Sequence, residues 1–114
     1  MTSSPSLPGV YELVVHEALD SVVEEAKRLA RDGAEEGTVV WAKEQTAAQG
    51  RLGRPWLSPP GNLQCAIILR LDDPPDVAVQ VSYVAAVSLA ATIAQFVMPQ
   101  TELRFRWPND VLLY

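Results

Sequence analysis

"TVVWAKEQTAAQGRLGRPWLSPPGNLQCAIILRL", residues 38–71, joins two β-forming runs through a long irregular stretch. Thr38–Lys43 is dense in β-branched and aromatic residues, which predicts a strand. Leu63–Leu71 is almost continuously apolar and predicts a buried strand. Between them, Gln45–Gly61 carries three glycines and three prolines and has no period. It predicts a loop, of a length that compact domains mostly use for function or leave disordered.

The same stretch is electrically odd. From Gln45 to Leu71 there is no Asp or Glu, while Arg51, Arg54 and Arg70 all fall there, in a chain of net charge −5 and pI near 4.7. Gly50 and Gly53 let the backbone approach a ligand and offer N–H groups, and the arginines supply rigid forked donors for phosphate or carboxylate. Trp56 offers a face for a purine. These parts suit an anionic, nucleotide-like ligand, and they equally describe a surface loop with solvated arginines. No phosphate-loop pattern of the Gly-x-x-x-x-Gly-Lys type decides between the two.

Outward from the loop, Tyr11–Val15 alternates well enough for a strand. Ser21 with Glu24 forms a capping box. Val23, Ala26, Leu29 and Ala30 make an apolar stripe, and Gly33 sits where a C-cap belongs, so "SVVEEAKRLARDG" predicts a helix. After "DDPPD" a second helix is predicted over residues 77–98, then a strand in "LRFRW", a turn in "PND" and a short strand in "VLLY". Pro108-Asn109-Asp110 is turn chemistry, and Trp107 suits a core position at a strand end. Two strand–helix–strand units predict an α+β fold, a mixed β-sheet with helices packed mainly on one face. Residues 1–9 read as a disordered leader and residues 10–114 as the domain. Because the sequence stops inside an apolar strand, we expect the N-terminal part of a larger domain, completed by more chain, a dimer partner or a complementing chain.

Composition narrows the function classes. The acidic balance excludes a protein that grips DNA through its overall charge. Val77–Gln100 has no charged residue, but Gln80, Ser88, Thr92 and Gln95 share one side of a helical projection, which favours packing on a sheet over a membrane span. The single cysteine, Cys65, cannot form an internal disulfide and fits a cytoplasmic setting; on its apolar strand it reads as inert core. No Cys/His spacing indicates a metal centre, and His16, alone at a strand end, reads as structural.

Two motifs in order give the chain a resemblance. "EQTAAQGRLGRPWLSPPGNL" followed by "RWPNDVLL" resembles the catalytic domain of the biotin protein ligases, within the biotin/lipoate ligase family. That family's pattern is Gln-Thr-Ala-Gly-Arg-Gly-Arg-x-Gly-Arg-x-Trp-x-Ser-Pro, then Lys/Arg-Trp-Pro-Asn-Asp after a helix. The likeness runs from about Glu17 to Tyr114. The Arg-Arg-x-x-Gly-Gly-Gly motif of lipoate ligases is absent, as is the helix-turn-helix of family members that also repress, so DNA is not an expected partner.

The resemblance implies an ATP-dependent ligase that uses magnesium. The biotin carboxylate attacks the α-phosphate of ATP to give biotinyl-AMP, which a lysine of a carboxylase's biotin carboxyl carrier domain then takes up. Position by position it implies biotin contacts from Ser21, Gln45, Gln49, Gly50 and Arg51, with Arg51 also catalytic at the acyl-phosphate. It implies adenylate contacts from Arg54, Trp56, Asn109 and Asp110. The sequence departs from the pattern at Ala48-Gln49, where the family has Gly-Arg, and at Ser21-Val22-Val23, where it has Ser-Thr-Asn. The family's catalytic lysine follows the "WPND" motif by several residues, beyond Tyr114. A diverged binding module and a lipoate or octanoate ligase are the alternatives.

Overall fold

A computed structural model describes residues 5–107 and 110–114, with the side chain of Arg51 outside the described residues. The chain divides into two compact units, residues 1–70 and 71–114.

The first unit holds strand β1 (Glu12–His16), helix α1 (Val22–Arg31), strand β2 (Thr38–Ala42) and strand β3 (Gln64–Ile67). β1 and β2 run parallel and β2 and β3 antiparallel, giving a three-stranded mixed sheet in the order β1-β2-β3. Period-two alternation decides its faces. Val40 and Ala42, fully buried, and Ile68 meet Val22 and Ala26 of α1 in the unit's core. The opposite face, with Trp41, Cys65 and Ile67, borders an apolar cavity of about 310 Å³. Pro5, Leu7 and Pro8, from the stretch expected to be a leader, wall that cavity.

α1 forms and stops for the reasons legible in its sequence. Ser21 Oγ accepts from Glu24 N at 3.4 Å at the N-cap. Beyond the C-cap Asp32, Gly33 adopts φ +92, with Gly33 N donating to Ala30 O (3.2 Å) and Ala34 N to Leu29 O (2.9 Å), a Schellman ending. Gly37 is a second position that only glycine fits: its φ is +91, and a Cβ there would collide with the carbonyl oxygen of Val10.

The second unit holds the short helix α2 (Pro75–Ala78), helix α3 (Val81–Ile93) and an antiparallel pair, β4 (Leu103–Arg106) and β5 (Asp110–Leu113). The last two strands thus pair with each other in a ladder of their own. α3 ends at Ile93, short of the expected 98. Gln95 N and Phe96 N turn back to Thr92 O and Ile93 O in a tightened last turn, and Pro99 disfavours helical backbone at the residue before it. Pro75–Ile93 spans 19 residues at mean hydropathy 1.5, long and apolar enough to cross a membrane. Its polar side chains bond to their own helix: Ser82 Oγ donates to Val79 O and Thr92 Oγ1 to Ser88 O, each at 2.9 Å.

Candidate functional site

The parallel pair β1–β2 fixes where chemistry can gather. α1 starts at the carboxyl ends of these strands, the end of a sheet at which open α/β folds bind ligands. There the chain leaves β2 and rises as an ordered hairpin. Gln45 bridges Ser58 at its base, Gln49 bridges Pro55 higher up, and Arg51–Gly53 make a single 3-10 turn at the tip. Gln45 N donates to Ser58 O (3.1 Å) and Trp56 N to Ala48 O (3.1 Å). Thr46 N and Ala47 N donate to Leu19 O and Asp20 O at 2.9 and 2.8 Å, lashing the hairpin's first strand to the segment that precedes α1. The stretch is the long loop expected, without a strand of its own, and is held by isolated bridges and non-local hydrogen bonds that leave no period in the sequence.

Three buried polar residues stand at this end of the sheet: Ser21, Ser58 and Gln64. Gln45 joins Ser58 to the first turn of α1, at Val22 beside Ser21. Its Oε1 accepts from Val22 N at 2.7 Å and its Nε2 donates to Ser58 Oγ at 2.9 Å. Asp20 completes the rim. Its Oδ1 accepts from Ser21 N at 2.7 Å and lies 3.4 Å from Arg28 Nη2. The Ser21 backbone hydrogen bond first, and Arg28 second, hold the Asp20 carboxyl below its ordinary value of 3.8. Arg28 Nε in turn donates to Glu25 Oε1 at 2.8 Å, and Glu25 Oε2 lies 3.9 Å from His16 Nε2. His16 Nε2 is buried and makes no hydrogen bond among the described residues.

The expected site residues fall into place unevenly. Ser21, Gln45, Gln49, Gly50, Arg54 and Trp56 all belong to the cluster or the hairpin above it. Gly50 N–H is engaged, donating to Arg54 O at 2.6 Å, so the hairpin as it stands does not offer that group to a ligand. A Cβ at Gly50 would meet Trp56 Cε3 at 3.6 Å, ordinary contact, whereas Gly53 holds φ +73 and Leu52, 93% exposed, holds φ +60. The loop's conformational demand thus sits at its tip, on Leu52-Gly53. Arg54 and Trp56 are exposed. The backbone of Arg51 lies in the tip; its side chain, and the whole of Asn109, fall outside the described residues.

Arg70, grouped by sequence with the loop arginines, belongs elsewhere. Its Nε and Nη2 donate to Ala34 O and Ala30 O at 3.2 Å, with a further contact from Nη2 to Ala34 O, so it caps the carboxyl end of α1. The guanidinium adds a cation to the carbonyl end of a helix that already closes with backbone N–H groups. Val22, at one of the positions that depart from the family pattern, is 4% exposed and packs in the core. Cys65 is exposed, not core, and its apolar surroundings push the thiol above its ordinary value.

In the second unit, Asp110 Oδ2 takes both Arg106 Nε (2.8 Å) and Nη2 (2.7 Å), tying the start of β5 to the end of β4. Trp107 lies with its ring centre 5.1 Å from that of Tyr83 on α3, though the residue is mostly exposed, not the core residue expected.

Residues 19–114 match the Biotin/lipoate A/B protein ligase family. The chain belongs to this family. It is 39% identical over 102 residues to the bifunctional ligase/repressor BirA of Bacillus subtilis, covering 89% of this chain and 31% of that protein. It is 40% identical over 94 residues to the biotin–[acetyl-CoA-carboxylase] ligase of Paracoccus denitrificans, covering 82% of this chain and 39% of that one. Among solved structures, the biotin protein ligase of Aquifex aeolicus in complex with biotin and ATP superposes with TM-score 0.68 at 28% identity, over 87% of this chain and 40% of the other. The Leishmania major biotin protein ligase bound to biotinyl-5-AMP shares the fold, with TM-score 0.73 at 20% identity over 94% of this chain and 48% of the other. The chain thus spans about a third to a half of the length of these relatives and carries a mixed sheet with helices as its part of the family fold.

Proposed function

We propose that this chain carries the acyl-adenylate-forming part of a biotin protein ligase. The observation that supports the reading best is the assembly at one sheet end of Ser21, Gln45 and Ser58 beneath a hairpin bearing Arg51, Arg54 and Trp56, with no carboxylate on the hairpin from Gln45 onward. A neutral polar cluster suits a cyclic urea. A cationic hairpin suits the anionic phosphate that must meet the carboxylate.

The chemistry follows from the charges. A carboxylate oxygen of biotin bonds to the α-phosphorus of ATP as the bond to pyrophosphate breaks. Fixed cationic donors favour the charge that develops there. The amine of a carrier-domain lysine then bonds to the acyl carbon, AMP leaves, and the amine proton is lost. The mixed anhydride hydrolyses readily, so a hairpin that covers it and excludes water serves the reaction. Magnesium would enter with the triphosphate, whose charge it offsets. Biotin, ATP and the carboxyl carrier domain are thus the proposed partners, in a cytoplasmic setting consistent with one unpaired thiol. The lipoate or octanoate alternative drew on the valines at 22 and 23; Val22 lies in the core, while Val23 is exposed.

Calorimetric titration of the chain with a non-hydrolysable biotinyl-adenylate analogue, alongside the lipoyl and octanoyl counterparts, tests this. Saturable binding of the biotinyl form, preferred over both others, is expected. A folded chain that binds none of them, or prefers an alkyl form, overturns the reading.

A further inference from the structure

Gln64 opens β3 directly across from Ala42 and is 7% exposed. Its Nε2 donates to Lys43 O at 2.9 Å and to Ala42 O at 3.4 Å. Both partners are carbonyl oxygens, which cannot donate, so the orientation of the carboxamide is fixed and its oxygen is the remaining end. That oxygen, Oε1, is sealed from solvent and has no hydrogen-bond partner among the described residues. A buried acceptor in this state is uncommon and costly, and it calls for a donor.

Position indicates which donor. Gln64 shares a sheet face with its pair partner Ala42, the face that α1 covers, and it stands at the carboxyl end of β2, where α1 begins. Ser21, Gln45 and Ser58 gather at that same end. Gln45 lies two residues beyond Lys43, whose carbonyl fixes the Gln64 amide. Gln64 thus stands at the same end of the sheet as the polar cluster, with its oxygen unsatisfied among the described residues.

Building on the biotin reading above, we propose that Gln64 is a specificity-determining residue of the acyl site, its Oε1 accepting an N–H from a cyclic-urea head group that parts the Gln45–Ser58 pair on entry. The pair is held by one neutral hydrogen bond between side chains, so it can be exchanged for equivalent bonds to the ring. An acceptor placed this way favours the urea over a dithiolane or plain alkyl head, which leaves Oε1 as unpartnered as before.

The test is a thermodynamic cycle on the full chain. Native protein and Gln64→Met are titrated with the biotinyl-adenylate analogue and with its two mono-N-methylated ureido derivatives. Gln64→Met is expected to weaken the parent analogue by roughly tenfold, the range for a buried hydrogen bond. It should scarcely affect the derivative methylated at the nitrogen that faces Gln64, because that bond is already lost. Uniform weakening of all three ligands, or none, overturns the proposal by reducing Gln64 to a packing role or a buried-water site. If Gln64→Met unfolds, Gln64→Asn, which withdraws the acceptor but stays polar, is put through the same cycle with the same two outcomes. Native chain that binds none of the three defeats the biotin reading itself, and this inference with it, and is separable from a native chain that binds without regard to residue 64.

Discussion

Replacing Gln45 with methionine tests the centre of the site. The carboxamide serves Val22 N at 2.7 Å and Ser58 Oγ at 2.9 Å, and both residues are buried. Methionine keeps the length and apolar contacts of the side chain but leaves an N–H and a hydroxyl without partners. Each loss costs about 1 kcal/mol net, and more where the orphaned group cannot reach water, so ~2–3 kcal/mol of stability should go. With a urea m-value of about 1–1.5 kcal/mol/M for a small domain, the midpoint should fall by roughly 1.3–3 M at unchanged slope. Urea titration followed by far-ultraviolet circular dichroism reads this directly. Combining Gln45→Met with Ser58→Ala should recover about 0.5–1.5 kcal/mol as coupling, since the second change removes a group already orphaned. A single-mutant loss under ~0.5 kcal/mol, or strict additivity, would refute the claim that this carboxamide joins hairpin to helix.

Arg70→Met should lower stability by about 0.3–1 kcal/mol through the uncapped end of α1, and adenylate-analogue affinity should not change; a large loss of affinity would return Arg70 to the binding loop. Trp56→Ala, at an exposed position, should leave the urea midpoint near native while weakening the adenylate analogue by roughly tenfold, as loss of a base stack does. Gly37→Ala should cost about 2–4 kcal/mol, combining a left-handed backbone with a collision against Val10 O that no side-chain motion relieves, and thermal melting will show it. Asp20 has a folded-state pKa below its ordinary 3.8, so its contribution to stability is full above that value and is lost as pH falls through the folded pKa. Asp20→Asn should therefore flatten the acid limb of stability measured by urea melts from pH 5 down toward 2, and an unchanged limb would contradict the assignment.

The sequence alone determined whatever rests on neighbours in the chain. The capping box at Ser21–Glu24, the Gly33 ending and strands near 11–15 and 38–43 follow from local hydrogen bonding and side-chain preference, whereas the buried strand expected over 63–71 is only Gln64–Ile67, with Ile67, Leu69 and Leu71 exposed. The order of the two motifs carried the family. What lies between distant residues was illegible. Gln45, read as a ligand contact, spends its carboxamide on residues 23 and 13 positions away, because only the βαβ crossover brings the first turn of α1 and the hairpin base to one place. Arg70 looked like its loop neighbours until β3 delivered it, 36 residues from Ala34, to the carbonyls of a helix end. Gln64 left no mark in the sequence at all. A glutamine that begins a strand is ordinary, and only its burial in the folded sheet leaves its oxygen without a partner among the described residues.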